Sequence, residues 1–212
     1  MVHRFFNRQA WTGLILLSAC ADPAAPPDPL FRPDPADKSR YTVDQSQDVI
    51  DEGILPYALY PLDPDRSVLL PMKQNLAQTF TAGVTGRMDY VYLPIACAEG
   101  VNFRLQIRAG DPDGALLYDR QYNPSKPFAD GAFLSMQIYG GVSVTASSVY
   151  ALVLSSFPVS GSDFSCSIIA GPLGDPYAGG AGYQNNPGFP LNYWTPIGDF
   201  GRDDLPFVTL VR

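Results

Sequence analysis

The aromatic residues of one glycine- and proline-rich stretch are the strongest candidates for chemistry in this sequence. The segment 171–202 carries Tyr177, Tyr183, Tyr193 and Trp194 among loop-forming residues. Aromatic rings on loops present flat apolar faces with polar edges, which suit sugar rings or the surface of another protein. We therefore predict that these four residues form a ligand-contact surface. The alternative is that the rings cover the end of the fold and bury one another.

Two aspartates in an acidic turn are the candidate metal ligands. Asp111 and Asp113 belong to the sequence Asp-Pro-Asp-Gly at 111–114, which predicts a tight turn because proline presets φ and glycine accepts a positive φ. The spacing also resembles part of a calcium loop, but no glutamate follows at the EF-hand distance. We expect a turn and no cofactor, with a structural calcium ion as the alternative. Asp203 and Asp204 are similarly expected to lie in a solvated loop.

Histidine-dependent catalysis is excluded for the mature chain. The sequence has one histidine, His3, and it lies in a predicted signal peptide. Catalytic triads, Cys–His dyads and histidine-ligated zinc are therefore excluded within one chain. No nucleophile elbow or phosphate-binding loop is present. We expect no enzymatic activity, with a carboxylate-dependent hydrolase as a distant alternative. The net charge of −7 also argues against binding to nucleic acid.

The first twenty residues predict export and lipid attachment. Two arginines precede an apolar run at 11–19, which is too short to cross a hydrocarbon core of ~30 Å. The run ends in Leu17-Ser18-Ala19-Cys20, which resembles a bacterial lipobox. That resemblance implies a signal peptide at 1–19, fatty acyl chains such as palmitate on Cys20, and anchoring to the cell envelope. We expect the outer membrane or the cell surface rather than the inner membrane. The alternative is an ordinary signal peptide with a chance cysteine.

The remaining chain divides into three parts. Residues 20–40 contain six prolines and predict an extended tether, which at ~3.1 Å per residue reaches roughly 60 Å. Residues 41–75 predict an extended N-terminal arm, with helical turns at 46–53 and an edge strand at 68–70. Residues 76–212 are the predicted folded domain.

Alternation of apolar and polar residues predicts strands throughout this domain. The pattern is clearest at 102–109, where Phe103, Leu105 and Ile107 alternate with polar residues. Glycine, proline and aspartate clusters, including the glycine pair 140–141, predict turns between strands. The predicted strands are 76–82, 88–98, 102–109, 115–122, 133–138, 149–155, 164–170 and 206–211. Short strands separated by such turns predict an all-β antiparallel sandwich of jelly-roll type.

Two cysteines remain once Cys20 is assigned to the lipid. Cys97 and Cys166 both share the parity of the apolar residues on their predicted strands, so both are expected to point inward. An even remainder in an exported chain predicts a disulfide bond. The alternative is two separate buried thiols.

Several short stretches resemble a known class of module. They are LAQTFTAG at 76–83, the segment 105–114, YALVL at 150–154, DPYAGG at 175–180 and the closing strand at 205–212. In this order they resemble uncharacterised β-sandwich modules of secreted bacterial proteins, which are similar to jelly-roll carbohydrate-binding modules. Aspartate stands at 175 where asparagine is common in those modules, and paired cysteines are not general among them. The resemblance implies a jelly roll and carries over no catalytic residue.

Together these features predict a lipid-anchored envelope protein that acts as a non-catalytic binding module. Its expected partners are the membrane, through the lipid, and a polysaccharide as the preferred ligand. The runner-up is a structural or protein-interaction lipoprotein of an envelope assembly.

Overall fold

The computed structural model of the chain describes residues 38–50, 57–59, 75–97, 101–122, 133–157, 166–185, 193–198 and 202–212. The predicted signal peptide, Cys20, the tether up to residue 37 and the strand at 68–70 lie outside these residues. Within them, no helix is long and apolar enough to cross a membrane.

The described residues form thirteen strands and one 3-10 helix, Lys38–Arg40. In chain order the strands are β1 (Thr42–Gln47), β2 (Tyr57–Leu59), β3 (Asn75–Thr81), β4 (Gly86–Leu93), β5 (Ile95–Cys97), β6 (Asn102–Ala109), β7 (Leu116–Tyr122), β8 (Leu134–Val144), β9 (Val149–Phe157), β10 (Cys166–Ile168), β11 (Gly182–Asn185), β12 (Thr195–Pro196) and β13 (Phe207–Val211).

Two main sheets have the strand order of a jelly roll. One sheet is β1-β13-β4-β8, and the other is β12-β11-β3-β9-β6-β7. Every pairing within these sheets is antiparallel. When the eight strands β1, β3, β4, β6, β7, β8, β9 and β13 are numbered from one to eight, the sheets read 1-8-3-6 and 2-7-4-5. Two interlocked Greek keys produce this order. The predicted fold class is confirmed.

The core lies between the two sheets and is built from the inward residues of each strand. On β6, Phe103, Leu105 and Ile107 are fully buried, while Arg104 and Gln106 between them are not, as the alternation predicts. The fully buried side chains also include Phe80 and Leu76 from β3, Met88 and Val91 from β4, Met136 from β8, Leu152 and Leu154 from β9, and Phe207 from β13.

The predicted disulfide bond between Cys97 and Cys166 is confirmed. The two residues face each other on β5 and β10, which with β2 form a third, three-stranded sheet. Pro94 separates β4 from β5, so the single strand predicted at 88–98 is in fact two strands in different sheets. Proline has no backbone N–H to donate to a ladder, which explains the break.

The turn predicted at the glycine pair 140–141 is wrong. Strand β8 continues through Gly140 and Gly141, which adopt φ values of 81° and 65°. Met88 pairs with Val142 and Tyr90 with Gln137, so β8 has three more residues than β4 between these pairs, and the glycines belong to this enlarged bulge. A positive φ suits a bulge as well as a turn, and the local sequence does not distinguish them.

The first strand of the N-terminal arm is part of the sandwich. Ser46 and Gln47, where helical turns were predicted, belong to β1, which pairs with β13 along its length. Long-range pairing of the backbone overrides the weak local signal for a helix. The sandwich therefore begins at Thr42 rather than at residue 76, while positions 51–53 of the predicted helix lie outside the described residues.

Candidate functional site

The outer surface of the six-stranded sheet carries a small apolar cluster of its own. Ala77 on β3 and Ala151 and Val153 on β9 point away from the core, and Tyr183 and Trp194 pack over them. Ala77 is directly opposite Val153 on one side and Tyr183 on the other. We call these five residues the aromatic face. Small residues in the middle of a sheet leave room for rings to lie close to it.

Trp194 is held in place from two directions. Its Nε1 donates a hydrogen bond of 3.0 Å to Oδ1 of Asp113. Next to it, the hydroxyl of Thr195 donates to the carbonyl of Gln184, and Ile197 is fully buried in the core. Trp194 remains partly exposed. The indole is therefore an oriented ring at the surface rather than a mobile one.

The hydrogen bond to Trp194 joins two motifs that are far apart in the sequence. Asp113 lies in the predicted turn between β6 and β7, where the N–H of Gly114 donates to the carbonyl of Asp111 at 2.9 Å. The N–H of Asp113 in turn donates to Oδ1 of Asp111 at 2.9 Å. Both aspartates thus accept hydrogen bonds within this assembly. Among the described residues, no group of three or more histidine, cysteine or acidic side chains is placed to hold a metal ion.

The four predicted contact residues have different surroundings. Tyr183 and Trp194 both pack on the aromatic face, and Tyr193 is 49% exposed beside Trp194 in the chain. Tyr177 is only 8% exposed, so it is a core residue and we remove it from the candidate surface. Its ring packs edge-on against Phe207.

The hydroxyl of Tyr177 is also engaged inside the fold. It donates a hydrogen bond of 2.7 Å to Oε1 of Gln45 on β1. Burial raises the pKa of Tyr177 to about 12. The residue therefore fastens the loop before β11 to the four-stranded sheet.

A polar strip lies beside the aromatic face on the same side of the sheet. Gln106 on β6 is opposite Val153 and next to Asp119 of β7. Nε and Nη2 of Arg108 donate to Oε1 of Gln106, and Nη1 donates to the carbonyl of Gly114. The Arg104 guanidinium, which donates to Asp119, holds the pKa of that carboxyl below its usual range. Sequence patterns identified neither this strip nor the small residues under the rings, although both occupy outward positions of predicted strands.

Asp204 is not in a solvated loop, contrary to the prediction. It is 1% exposed. Its Oδ1 accepts 2.8 Å from Nε2 of Gln78, and its Oδ2 accepts 3.0 Å from the N–H of Tyr177. Burial raises the pKa of Asp204 to about 6, and the nearby carboxylate of Asp175 contributes in the same direction. Only the neighbouring Asp203 is exposed as expected.

The raised pKa of Asp204 predicts that the free energy of unfolding decreases as pH rises. The folded-state pKa of about 6 for Asp204 is higher than the value near 3.9 for an unfolded chain, so the fold favours the protonated form. That contribution is complete below about pH 4 and is lost as pH rises through about 6. We expect a decrease on the order of 1–2 kcal/mol in the free energy of unfolding, measured by urea denaturation between pH 4.5 and 7.5.

The variant Asp204→Asn should remove most of this dependence, because it removes the carboxyl whose burial raises its pKa. Asp203→Asn, which changes an exposed neighbour, should leave the slope as it is. An identical slope in Asp204→Asn and in the original chain would contradict the assignment.

Comparison of the chain with protein families, with curated proteins and with solved structures finds no match.

Proposed function

We propose that this protein is a lipid-anchored envelope protein whose jelly-roll domain binds carbohydrate on the aromatic face and catalyses no reaction. The observation that carries this proposal is that Tyr183 and Trp194 both pack over small residues on the outside of the larger sheet, with both rings partly exposed. Ligand sites combine apolar and aromatic surfaces with a few fixed polar groups.

The surroundings of Trp194 favour a sugar as the ligand. A ring that is already oriented by Asp113 and by the packing beneath it loses little conformational freedom when a ligand stacks on it. The polar strip next to the rings presents amide, guanidinium and carboxylate groups. Sugars offer the matching combination, since they have apolar C–H faces and hydroxyl edges.

The cellular location in this proposal comes from the predicted lipobox and from the disulfide. Cys20 would be the acylated residue, and the sandwich begins 22 residues later at Thr42. A proline-rich spacer of that length would let the domain reach a ligand roughly 60 Å from the membrane. The Cys97–Cys166 bond supports an oxidising compartment outside the cytoplasm.

A glycan array with the full chain in detergent tests the proposal. The original chain should bind at least one polysaccharide. Trp194→Ala should weaken that binding roughly tenfold or more, because a central aromatic contact is removed. Tyr41→Ala, which removes a ring beside Tyr90 on the other sheet, is the matched control and should bind normally. Binding that is equal in Trp194→Ala and in the original chain would contradict the site.

The outer surface of the four-stranded sheet favours a second candidate, a protein-interaction role in an envelope assembly. Val43 is 57% exposed there, and it pairs with Leu210, which lies next to Tyr90. Leu210 and Tyr90 are buried, Tyr90 in edge-on contact with Tyr41, so Val43 supplies the exposed apolar area. Exposed apolar surface of this kind is common at protein interfaces. Crosslinking on intact cells, with Val43→Asp as the comparison, would detect a partner on this surface.

A further inference from the structure

We infer that Asp113 determines the specificity of the aromatic face and that the ligand class is a neutral glycan with adjacent hydroxyl groups. This inference rests on the proposed carbohydrate-binding function. It names the chemical class of the ligand and the residue that selects it.

The position of the Asp113 carboxylate is determined by the structure. The backbone N–H of Asp113 donates a hydrogen bond to Oδ1 of Asp111, and Oδ1 of Asp113 accepts one from the indole N–H of Trp194. Asp113 itself is exposed, and the described residues offer no hydrogen-bond donor to its Oδ2. A carboxylate oxygen with free lone pairs therefore lies at the edge of the ring on which a sugar would stack.

This arrangement matches the hydroxyl groups of a sugar. An ionised carboxylate only accepts hydrogen bonds, and its two oxygens offer about four lone-pair sites, of which the indole N–H occupies one. Hydrogen bonds to a charged acceptor are also shorter and stronger than neutral ones. A sugar stacked on Trp194 would present adjacent hydroxyls to Asp113, which provides both contact and orientation.

The same charge disfavours anionic glycans. Asp111 adds a second negative charge in the same turn, and Arg108, the nearest cation on β6, already donates to Gly114 and Gln106. The carboxylate of a uronate would meet Asp113 at the edge of the ring. Like charges brought together in this way weaken binding and thereby create specificity. The chain as a whole also carries a net charge of −7.

Asp113 therefore has two separable effects, which two substitutions distinguish. Asp113→Asn keeps an acceptor for the Trp194 indole but removes the negative charge. Asp113→Ala removes both. Asp48→Asn is the control, since it removes one exposed negative charge after β1 of the four-stranded sheet and leaves the turn at 111–114 unchanged.

The test uses the full chain with Trp11→Phe, which leaves Trp194 as its one tryptophan. Binding is measured for two pairs of probes that differ only in the carboxylate, α-1,4-linked galactan oligosaccharides with oligogalacturonates and β-1,4-linked glucan oligosaccharides with β-1,4-linked oligoglucuronates. Fluorescence of Trp194 without any glycan reports whether the indole keeps its orientation.

We expect the unsubstituted protein to prefer a neutral glycan over its uronate counterpart at least tenfold. In Asp113→Asn the preference should fall to about threefold or less, with the fluorescence spectrum unchanged. In Asp113→Ala the emission should shift to the red, quenching by acrylamide should increase, and binding of the neutral glycan should weaken about tenfold. Asp48→Asn should retain the full preference and an unchanged spectrum.

Failure of this inference is distinguishable from failure of the proposed function. If a glycan binds to the aromatic face but Asp113→Asn and Asp113→Ala keep the original affinity and preference, the role of Asp113 is overturned and carbohydrate binding stands. A preference for uronates overturns the ligand class. If none of the four probes binds and a broader glycan array is also negative, carbohydrate binding itself is overturned.

Discussion

Replacing both Cys97 and Cys166 with alanine is expected to lower the free energy of unfolding by about 4 kcal/mol. The bond joins strands β5 and β10 across a sequence separation of 69 residues, and it restricts the unfolded chain accordingly. Both residues are buried, so alanine avoids leaving a polar group without a partner in the core.

Urea denaturation of the double variant and of the original chain measures this loss. The original chain treated with a reductant is the matched control and should lose a similar amount of stability. The expected loss of about 4 kcal/mol assumes that the bond restricts the unfolded chain. A loss below about 1 kcal/mol in both the double variant and the reduced chain would contradict that assumption.

Phe207→Ala is expected to lower the free energy of unfolding by about 3–5 kcal/mol. The ring of Phe207 is fully buried between the two sheets, 5.8 Å from the ring of Phe80 and 5.1 Å from that of Tyr177. Its loss leaves a cavity and also removes the surface on which Tyr177 packs. Val208→Ala changes the next residue on β13, which points outward and is partly exposed, and should cost less than about 1 kcal/mol. Equal losses in the two variants would contradict this description of the core.

The strands were largely predictable because side chains alternate between the two faces of a strand, so apolar residues two positions apart mark its buried face. Strand β6 spans the predicted residues, and the inward direction of both cysteines followed from the same alternation. Whether a glycine pair forms a turn between two strands or a bulge within one strand was not predictable. At Gly140 and Gly141 a positive φ produces a bulge within β8, and the pairing with β4 decides this outcome.

The candidate site was predictable in composition but not in arrangement. The segment 171–202 was identified from its aromatic residues, yet nothing local distinguishes Tyr177, which is buried against Phe207, from Tyr193, which is 49% exposed. The partner of Trp194 is Asp113, 81 positions away, and only the fold brings them together. The burial of Asp204 likewise depends on Gln78 of a distant strand.

The central claim is that Trp194 on the aromatic face contacts the ligand. NMR spectroscopy of the Trp11→Phe chain gives one indole N–H resonance, which belongs to Trp194. During titration with a glycan that binds, this resonance should shift and saturate with the same dissociation constant that the binding assay gives. A glycan that binds and saturates while the Trp194 indole resonance stays unmoved would contradict the claim.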